Sequence, residues 1–271
     1  MVVLLVATPE EARAARPLLA GAEEVSLPGN LRALRGGTAA GDTLVAAVGV
    51  GKVAAASATA VLCHLFTPRL LLVCGVAGAL DETLEVGDLV ISTELVPADT
   101  GLIHSGGFKT TGPGICGPRS TVFQPSFTSP PRLVEKARLA SASARLKHHA
   151  GRTITCDQAV LDPELRLHLG RLFRALAVDM EGAAAAQVAS AWRVPFLSVR
   201  AVSDAVSFDG AGLEELLPRA GEKRWSMWGR RFLLSLRGAE VLARARLLRK
   251  GSEAALRNLE SFLREFLKEP L

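Results

Sequence analysis

Residues Leu70–Ala79 read LLLVCGVAGA, an unbroken apolar run that ends in closely spaced glycines. Similar apolar runs cover Val2–Ala7 and Pro195–Val202, and Ala-rich segments of helical composition, Gly51–Phe66 and Glu181–Trp192, lie between them. Strands that are apolar at consecutive positions are buried on both faces, as in parallel sheets covered by helices. We therefore predict an α/β fold with a mixed, mainly parallel central sheet flanked by helices, and a turn at the glycines.

The bulk composition of the chain fits one globular domain. Its 271 residues are 49% hydrophobic, which is enough to bury a core. No apolar run reaches the roughly 18 residues of a membrane span. The N-terminal segment MVVLLVATPEEA has no basic region and no cleavage site, so it predicts a first strand rather than a signal peptide.

Histidine and cysteine usage gives no sign of a metal site. The five histidines form no ligand motif, and the cysteines are not paired at a metal-like spacing. We therefore expect no metal, no cofactor, and reduced thiols in a cytoplasmic protein. The four cysteines are Cys63, Cys74, Cys116 and Cys156.

Positive charge is concentrated at the C-terminal end. The net charge is +5, yet residues 219–271 hold 13 Lys or Arg against 6 Asp or Glu. We divide the chain into a catalytic part, 1–218, and a basic helical extension of the same domain, 219–271, with amphipathic helices expected at Phe232–Leu248 and Leu256–Leu267. The extension suits packing on the core or in an oligomer, or peripheral contact with an anionic membrane. Nucleic acid is disfavoured as a partner because aromatic side chains do not alternate with the basic ones.

Two further segments interrupt the alternation of strands and helices. Thr100–Pro131 is rich in Gly and Pro, which predicts a long loop. Gly49-Val50-Gly51-Lys52 follows a predicted strand and opens a helix, a place where backbone N–H groups can face an anion. This turn is not a Walker A loop, because Ala46 and Val53 stand where that motif needs Gly and Ser or Thr.

Carboxylates follow three of the predicted strands. Glu10 and Glu11 come after the first strand, Glu181 lies between a buried strand and an Ala-rich helix, and Asp204 ends the strand that begins at Pro195. Because ligands of α/β sheets bind outside the carboxyl ends of the strands, we expect these side chains to meet at one rim.

Five motifs together resemble the methylthioadenosine/S-adenosylhomocysteine nucleosidases and their relatives in the nucleoside phosphorylase superfamily. They are Val48–Ala56, Cys74–Leu80, Val86–Val90, Val178–Ala184 and Val199–Asp204. The last two, which hold acidic residues, are the specific ones. The resemblance implies a nucleoside phosphorylase-like fold. The helices predicted in residues 219–271 are extra C-terminal elements in which this chain departs from the family.

The resemblance also implies a reaction, the cleavage of the bond between ribose C1′ and purine N9. Asp204 would be the general acid that delivers a proton towards purine N7, and Ser203 would hold Asp204 or the base. Glu181 would accept hydrogen bonds from the ribose 2′- and 3′-hydroxyls, and Met180 would pack against the sugar.

Glu11 matches the family residue that activates water, although Glu10 stands next to it and the sequence leaves the register open. The resemblance implies further substrate contacts from the glycine turns, the Cys156–Val160 segment and the segment after Asp204. These residues are Val50, Val76, Ala77, Gly78, Asp157, Ala159, Val160 and Phe208.

Several alternatives stay open at this stage. Water is favoured over phosphate because Val76 replaces a Ser found in many relatives and no Arg lies between Gly36 and Pro68. Asp204 favours adenine over the 6-oxopurine of futalosine. The resemblance thus implies cleavage of the N-glycosidic bond of an adenine nucleoside by water, with release of adenine, in a homodimer or higher homo-oligomer.

The remaining readings are a phosphate-dependent phosphorylase, a futalosine hydrolase, a non-catalytic nucleoside-binding protein, and the hopanoid-associated branch that acts on adenosylhopane. The Arg- and Leu-rich extension would suit the last of these, with Trp225, Met227 and Trp228 lining an apolar pocket.

Overall fold

The computed structural model describes residues 1–105, 107–216 and 238–270, in which strands and helices alternate. The strands are β1 (Val2–Val6), β2 (Ala20–Leu27), β3 (Leu31–Thr38), β4 (Gly41–Ala47), β5 (Leu70–Ala79), β6 (Leu89–Pro97), β7 (Gly101–His104), β8 (Gly107–Thr110), β9 (Gly114–Cys116), β10 (Thr121–Phe123), β11 (Phe127–Thr128), β12 (His148–Thr155), β13 (Ala175–Asp179) and β14 (Phe196–Asp204). The helices are α1 (Pro9–Ala15), α2 (Lys52–Phe66), α3 (Pro131–Ser143), α4 (Pro163–Phe173), α5 (Gly182–Ala191) and α6 (Ala239–Phe266).

A mixed central sheet organises the molecule, as predicted. Its order is β11-β6-β12-β13-β5-β1-β4-β3-β2, and β14 pairs with both β5 and β6, which closes β5, β14, β6, β12 and β13 into a ring. The pairs β1–β4, β1–β5, β5–β14, β6–β12 and β12–β13 are parallel. The pairs β2–β3, β3–β4, β5–β13, β6–β14 and β6–β11 are antiparallel.

Helices cover both faces of this sheet because alternate residues of its strands point to opposite sides. In β1, Val2, Leu4 and Val6 join a core cluster with residues of α1, α3 and α6. Val3 and Leu5 join a second cluster with residues of α2 and α5. Complete burial of such a side chain contributes roughly 1.5–3 kcal/mol, so these runs stabilise the sheet from both sides.

The turn predicted at the glycines of Cys74–Ala79 is wrong, because β5 continues through them to Ala79. The outer half of β5 pairs with β14 on one side and with β13 on the other, which keeps it extended. Glycine in this strand instead leaves room for the side chains that pack against it. A Cβ atom at Gly75 would lie 2.5 Å from Glu11 Oε1 and 2.6 Å from Arg200 Nη1, closer than real Cβ atoms approach.

The long Gly- and Pro-rich segment also contains more regular structure than predicted. Two antiparallel hairpins, β7–β8 and β9–β10, lie within it, and β11 joins the edge of the main sheet. The edge strand β2 was not predicted, because AGAEEVSL is largely exposed and has no apolar alternation. Short hydrogen-bonded hairpins and exposed edge strands give little periodic signal in a sequence.

In the part of the basic extension that the structure describes, one continuous helix covers Ala239–Phe266, whereas the prediction placed a break between two helices at residues 249–255. The break expected near Gly251 is absent, because this glycine lies inside the helix and lets it approach β14 closely. Ala255, Leu259 and Phe262 of α6 are buried in the main core. No helix among the described residues is long and apolar enough to cross a membrane. Residues 217–237, which include Trp225, Met227, Trp228 and the start of Phe232–Leu248, lie outside the described residues.

Candidate active site

A cavity of about 270 Å³ opens where β1, β5, β13 and β14 end. Three carboxylates that follow different strands, those of Glu11, Glu181 and Asp204, line it together. Most of the other residues expected to contact substrate line the same cavity. These are Val50, Val76, Ala77, Gly78, Ala159, Val160, Met180 and Ser203.

Glu11 is held at the cavity by backbone amides of the segment after β1 and of β5. Its residue exposure is 5%. Oε2 accepts hydrogen bonds from the N–H groups of Ala7 (2.8 Å) and Thr8 (2.9 Å), and Oε1 accepts one from Val76 (3.0 Å). Thr8 caps α1, so Glu11 and Thr8 form a reciprocal capping box that fixes the helix start. Glu10 points outward instead, with a side chain 61% exposed, so of these two neighbours Glu11 is the one that lines the cavity.

Glu181 lies at the N-terminus of α5 and is 4% exposed. Its Oε1 accepts a hydrogen bond from Gly51 N–H (3.1 Å), and its Oε2 lies 3.4 Å from Arg200 Nη2. Burial raises the pKa of Glu181 above its usual value; the negative charges of Asp179 and Glu11 act in the same direction, while Arg200 and the Gly51 N–H oppose them.

Arg200 is a buried cation in the apolar strand β14, and it compensates the acidic cluster. Its Nη2 lies 2.6 Å from Asp179 Oδ2. Asp179 also accepts hydrogen bonds from Thr155 Oγ1 (2.5 Å) and from Gly182 N–H (3.1 Å to Oδ2). The network fixes the turn between β13 and α5, where Glu181 is located.

Asp204, at the end of β14, is 6% exposed and held by two side chains. Ser203 Oγ donates to its Oδ1 at 2.5 Å and also lies 3.2 Å from the carbonyl oxygen of Ala77. Asp204 Oδ2 forms an ion pair with Arg166 Nη2. The orientation of the carboxyl group is therefore fixed from both of its oxygens.

Arg166 was missed by the sequence analysis, although it lines the cavity. It lies on α4, which carries no motif of the family, and it precedes Asp204 by 38 positions. An Arg among leucines of an amphipathic helix is usually solvent-exposed, so its burial could not be recognised from the sequence. Arg200, by contrast, left a signal as a lone charge inside an apolar strand.

Two of the expected substrate contacts lie outside this cavity. Asp157 is exposed, and its Oδ1 accepts a hydrogen bond from Lys52 N–H (2.8 Å). Lys52 Nζ lies 2.5 Å from Asp99 Oδ1 and 3.5 Å from Asp157 Oδ2, so the three side chains tie α2 to the segments after β6 and β12. Phe208 packs beside the guanidinium of Arg166 and lines a neighbouring cavity of about 530 Å³.

Three backbone donors near the cavity are occupied by carboxylates of the chain itself. Gly51 N–H faces Glu181, Lys52 N–H faces Asp157, and Val76 N–H faces Glu11. The partial positive charge at the N-terminus of α2 therefore faces two carboxylates of the chain, those of Glu181 and Asp157.

Comparison with known proteins identifies the class. The sequence profile of the phosphorylase superfamily matches residues 1–225. The chain belongs to the phosphorylase superfamily. The 5′-methylthioadenosine/S-adenosylhomocysteine nucleosidase of Haemophilus ducreyi is 37% identical over 180 residues, covering 65% of this chain and 73% of that protein. The enzyme of the same name from Staphylococcus haemolyticus is 30% identical over 205 residues, covering 75% and 86%. These matches confirm the predicted resemblance.

Solved structures confirm the fold. The Neisseria meningitidis 5′-methylthioadenosine/S-adenosylhomocysteine nucleosidase in complex with methylthio-immucillin-A superposes with a TM-score of 0.74 at 24% identity, covering 98% of both chains. The futalosine hydrolase of Helicobacter pylori gives a TM-score of 0.72 at 24% identity, covering 98% of this chain and 96% of that one. Because both proteins share this architecture, the fold alone does not identify the nucleoside that is the substrate.

Proposed function

We propose that this protein is an N-glycosyl hydrolase that releases adenine from an adenine nucleoside with water as the nucleophile. The observation that carries the proposal is the convergence of Glu11, Glu181 and Asp204, from three strand ends, on one cavity. The named relatives that are 30–37% identical are nucleosidases, which supports the same reaction.

Each carboxylate suits a different part of the nucleoside. Asp204 as general acid protonates the leaving purine at N7, which offsets the negative charge that develops on the base as the C1′–N9 bond breaks. Glu181 as an ionised acceptor binds the two ribose hydroxyls. Glu11 takes a proton from the water that attacks C1′, and its fixed position holds that water near the reacting carbon.

Occupied backbone donors favour water over phosphate. Phosphoryl anions in proteins are held by free N–H groups at helix N-termini or by unpaired cations. At this cavity the amides of Gly51 and Val76 bind carboxylates, and Arg166 and Arg200 are both in ion pairs with aspartates. At each of these donors, a phosphate ion would have to displace a carboxylate of the chain.

We propose methylthioadenosine and adenosylhomocysteine as the substrates, which are the compounds named for the relatives. Apolar side chains of Val50, Val76 and Met180 line the cavity together with Glu181. They suit the thioether at the 5′ position better than a charged or hydroxylated group.

The test is a panel of adenine nucleosides incubated with and without phosphate, with adenine and the sugar product quantified by chromatography. We expect free adenine and a free 5-thio-substituted ribose in both conditions, from methylthioadenosine and adenosylhomocysteine. A sugar 1-phosphate formed only with phosphate would establish a phosphorylase. Binding without any adenine release would make the protein a nucleoside-binding protein.

We further propose a homodimer in the cytoplasm. Large apolar side chains are exposed on the hairpins and at the start of α2, including Ile103 (87%) and Val53 (78%), as expected of a surface that a second copy covers. The four cysteines are unpaired, as reduced thiols in a cytoplasmic protein would be. Sedimentation equilibrium should give twice the chain mass of 28.6 kDa, and a monomer would reject the dimer.

The packing of α6 favours a structural role for the basic extension over membrane contact. Its apolar face, with Leu259, Phe262 and Phe266, is buried in the core and is not available to lipid. We therefore expect no cosedimentation with anionic phosphatidylserine vesicles at physiological salt. Pelleting with these vesicles would reassign the Arg-rich face of α6 to peripheral membrane contact.

A further inference from the structure

We infer that Arg166 is a positioning residue for glycosidic cleavage, which holds the Asp204 carboxyl group in its working orientation. The inference rests on the proposed function, because it concerns the proton that Asp204 donates. Arg166 is 1% exposed, and its guanidinium lies in the wall of the same cavity as Asp204.

The guanidinium contacts three segments that surround Asp204. Nη2 pairs with Asp204 Oδ2, Nε donates to the carbonyl oxygen of Val160 (2.7 Å), and Nη1 donates to the carbonyl oxygen of Ala205 (2.9 Å). The ring of Phe208 lies beside it, with 6.0 Å between the guanidinium carbon and the ring centroid. One planar group thus joins the loop after β12, the end of β14 and the turn that follows.

This geometry requires arginine. The fork of a guanidinium presents fixed donors in several directions, whereas a lysine ammonium in the same place is a single point charge. The loop that holds Val160 also supplies Ala159 to the cavity wall. Arg166 therefore fixes the distance between this wall and the carboxyl group of Asp204.

The positive charge also has a direct consequence for the proton transfer. The ion pair between Arg166 and Asp204 is the state reached once Asp204 has given its proton to the purine, which leaves as a neutral base. Arg166 stabilises the negative charge that forms on Oδ2 during this step. Interactions that strengthen as charge develops lower the barrier more than they strengthen substrate binding.

The test combines kinetics with a double-mutant cycle. The variants are R166M, R166K, D204N and R166M/D204N, and R171M serves as the matched control because Arg171 is exposed on the same helix. For each protein we measure kcat and KM for methylthioadenosine, and the Kd of adenine by calorimetry. The Kd gives a coupling between Arg166 and Asp204 even for a variant with no measurable turnover.

We expect R166M to lower kcat by about 10- to 100-fold, which is less than the loss of the general acid itself would cause, because Asp204 is still present. KM should change little. R166K should recover part of the loss, and R171M should match the wild type. In the D204N background R166M should have almost no further effect on kcat or on the Kd of adenine. R166K, which keeps a cation in the cavity wall, replaces R166M in the cycle if circular dichroism shows that R166M is unfolded.

Additive effects of R166M and D204N, or a kcat of R166M equal to that of R171M, would overturn the inference. Failure of the proposed function looks different, because wild-type protein would then release no adenine.

Discussion

The backbone N–H of Gly51 donates a hydrogen bond to Oε1 of Glu181 over 3.1 Å, although the two residues are 130 positions apart. The first turn of α2 thus points its positive end at the carboxylate expected to bind ribose. In the same turn, Lys52 N–H faces Asp157. A turn that resembles an anion-binding loop in sequence is therefore used to orient acidic side chains of the chain itself.

This relationship predicts that phosphate has little effect on turnover. Because the amides of Gly51 and Lys52 are occupied, millimolar phosphate should change the rate of adenine release by less than about twofold. The measurement is an initial rate at constant ionic strength, with sulfate as the matched anion. A strong acceleration by phosphate, absent with sulfate, would show that the carboxylates give way to a nucleophilic anion.

Glu11 and Glu10 should differ sharply when each is changed to glutamine. E11Q keeps the shape of the side chain but cannot accept a proton from water, so kcat should fall by about 10²- to 10⁴-fold. E10Q is the control, because Glu10 is exposed and its closest cation is Arg13 at 3.6 Å on the surface. Steady-state kinetics of both variants test the assignment. Loss of activity in E10Q alone would transfer the role to Glu10.

Stability should depend on pH through Glu181. Burial raises the pKa of this carboxyl group in the folded protein above its ordinary value of 4.5, so the folded state retains the proton to a higher pH than the unfolded chain does. As pH rises from below 4.5 through the folded pKa, wild type should lose stability relative to E181Q, which does not titrate there. Urea denaturation of both proteins from pH 4 to 7 measures the difference. A difference that stays constant, or that changes in favour of wild type, contradicts the raised pKa.

Gly251 should be intolerant of even a methyl group. A Cβ atom at this position would overlap the carbonyl oxygen of Ser203, next to Asp204. Alanine normally stabilises a helix relative to glycine. We nevertheless expect G251A to lower the free energy of unfolding, measured by urea denaturation, by about 1–3 kcal/mol, because the added methyl group forces α6 away from β14.

The same substitution should lower kcat, because Ser203 positions Asp204. R249A, at an exposed position of the same helix, is the control for both the free energy of unfolding and kcat. If G251A is as stable as wild type, α6 does not constrain the site.

The sequence was sufficient to locate the acidic residues and the strands that carry them. Glu181 and Asp204 follow strands whose apolar residues are buried on both faces, so the positions of these strands and of their ends could be predicted. The choice between Glu10 and Glu11 could not be made, because it depends on the direction of one helical turn capped by Thr8.

Features set by tertiary contacts were not predictable. The extension of β5 through its glycines depends on β13 and β14, which are far away in sequence. The burial of Arg166 depends on contacts with Val160 and Asp204 rather than on its own helix. The continuity of α6 through Gly251 has the same kind of cause, because propensity alone favours a break at Gly-Ser.

The most direct measurement is a crystal structure of the protein with a non-hydrolysable analogue of methylthioadenosine. We expect purine N7 within hydrogen-bond distance of Asp204, the ribose hydroxyls on Glu181, and a water molecule between Glu11 and C1′. A nucleoside bound in the neighbouring cavity beside Phe208, or bound so that Glu181 and Asp204 do not both contact it, would contradict the proposed mechanism.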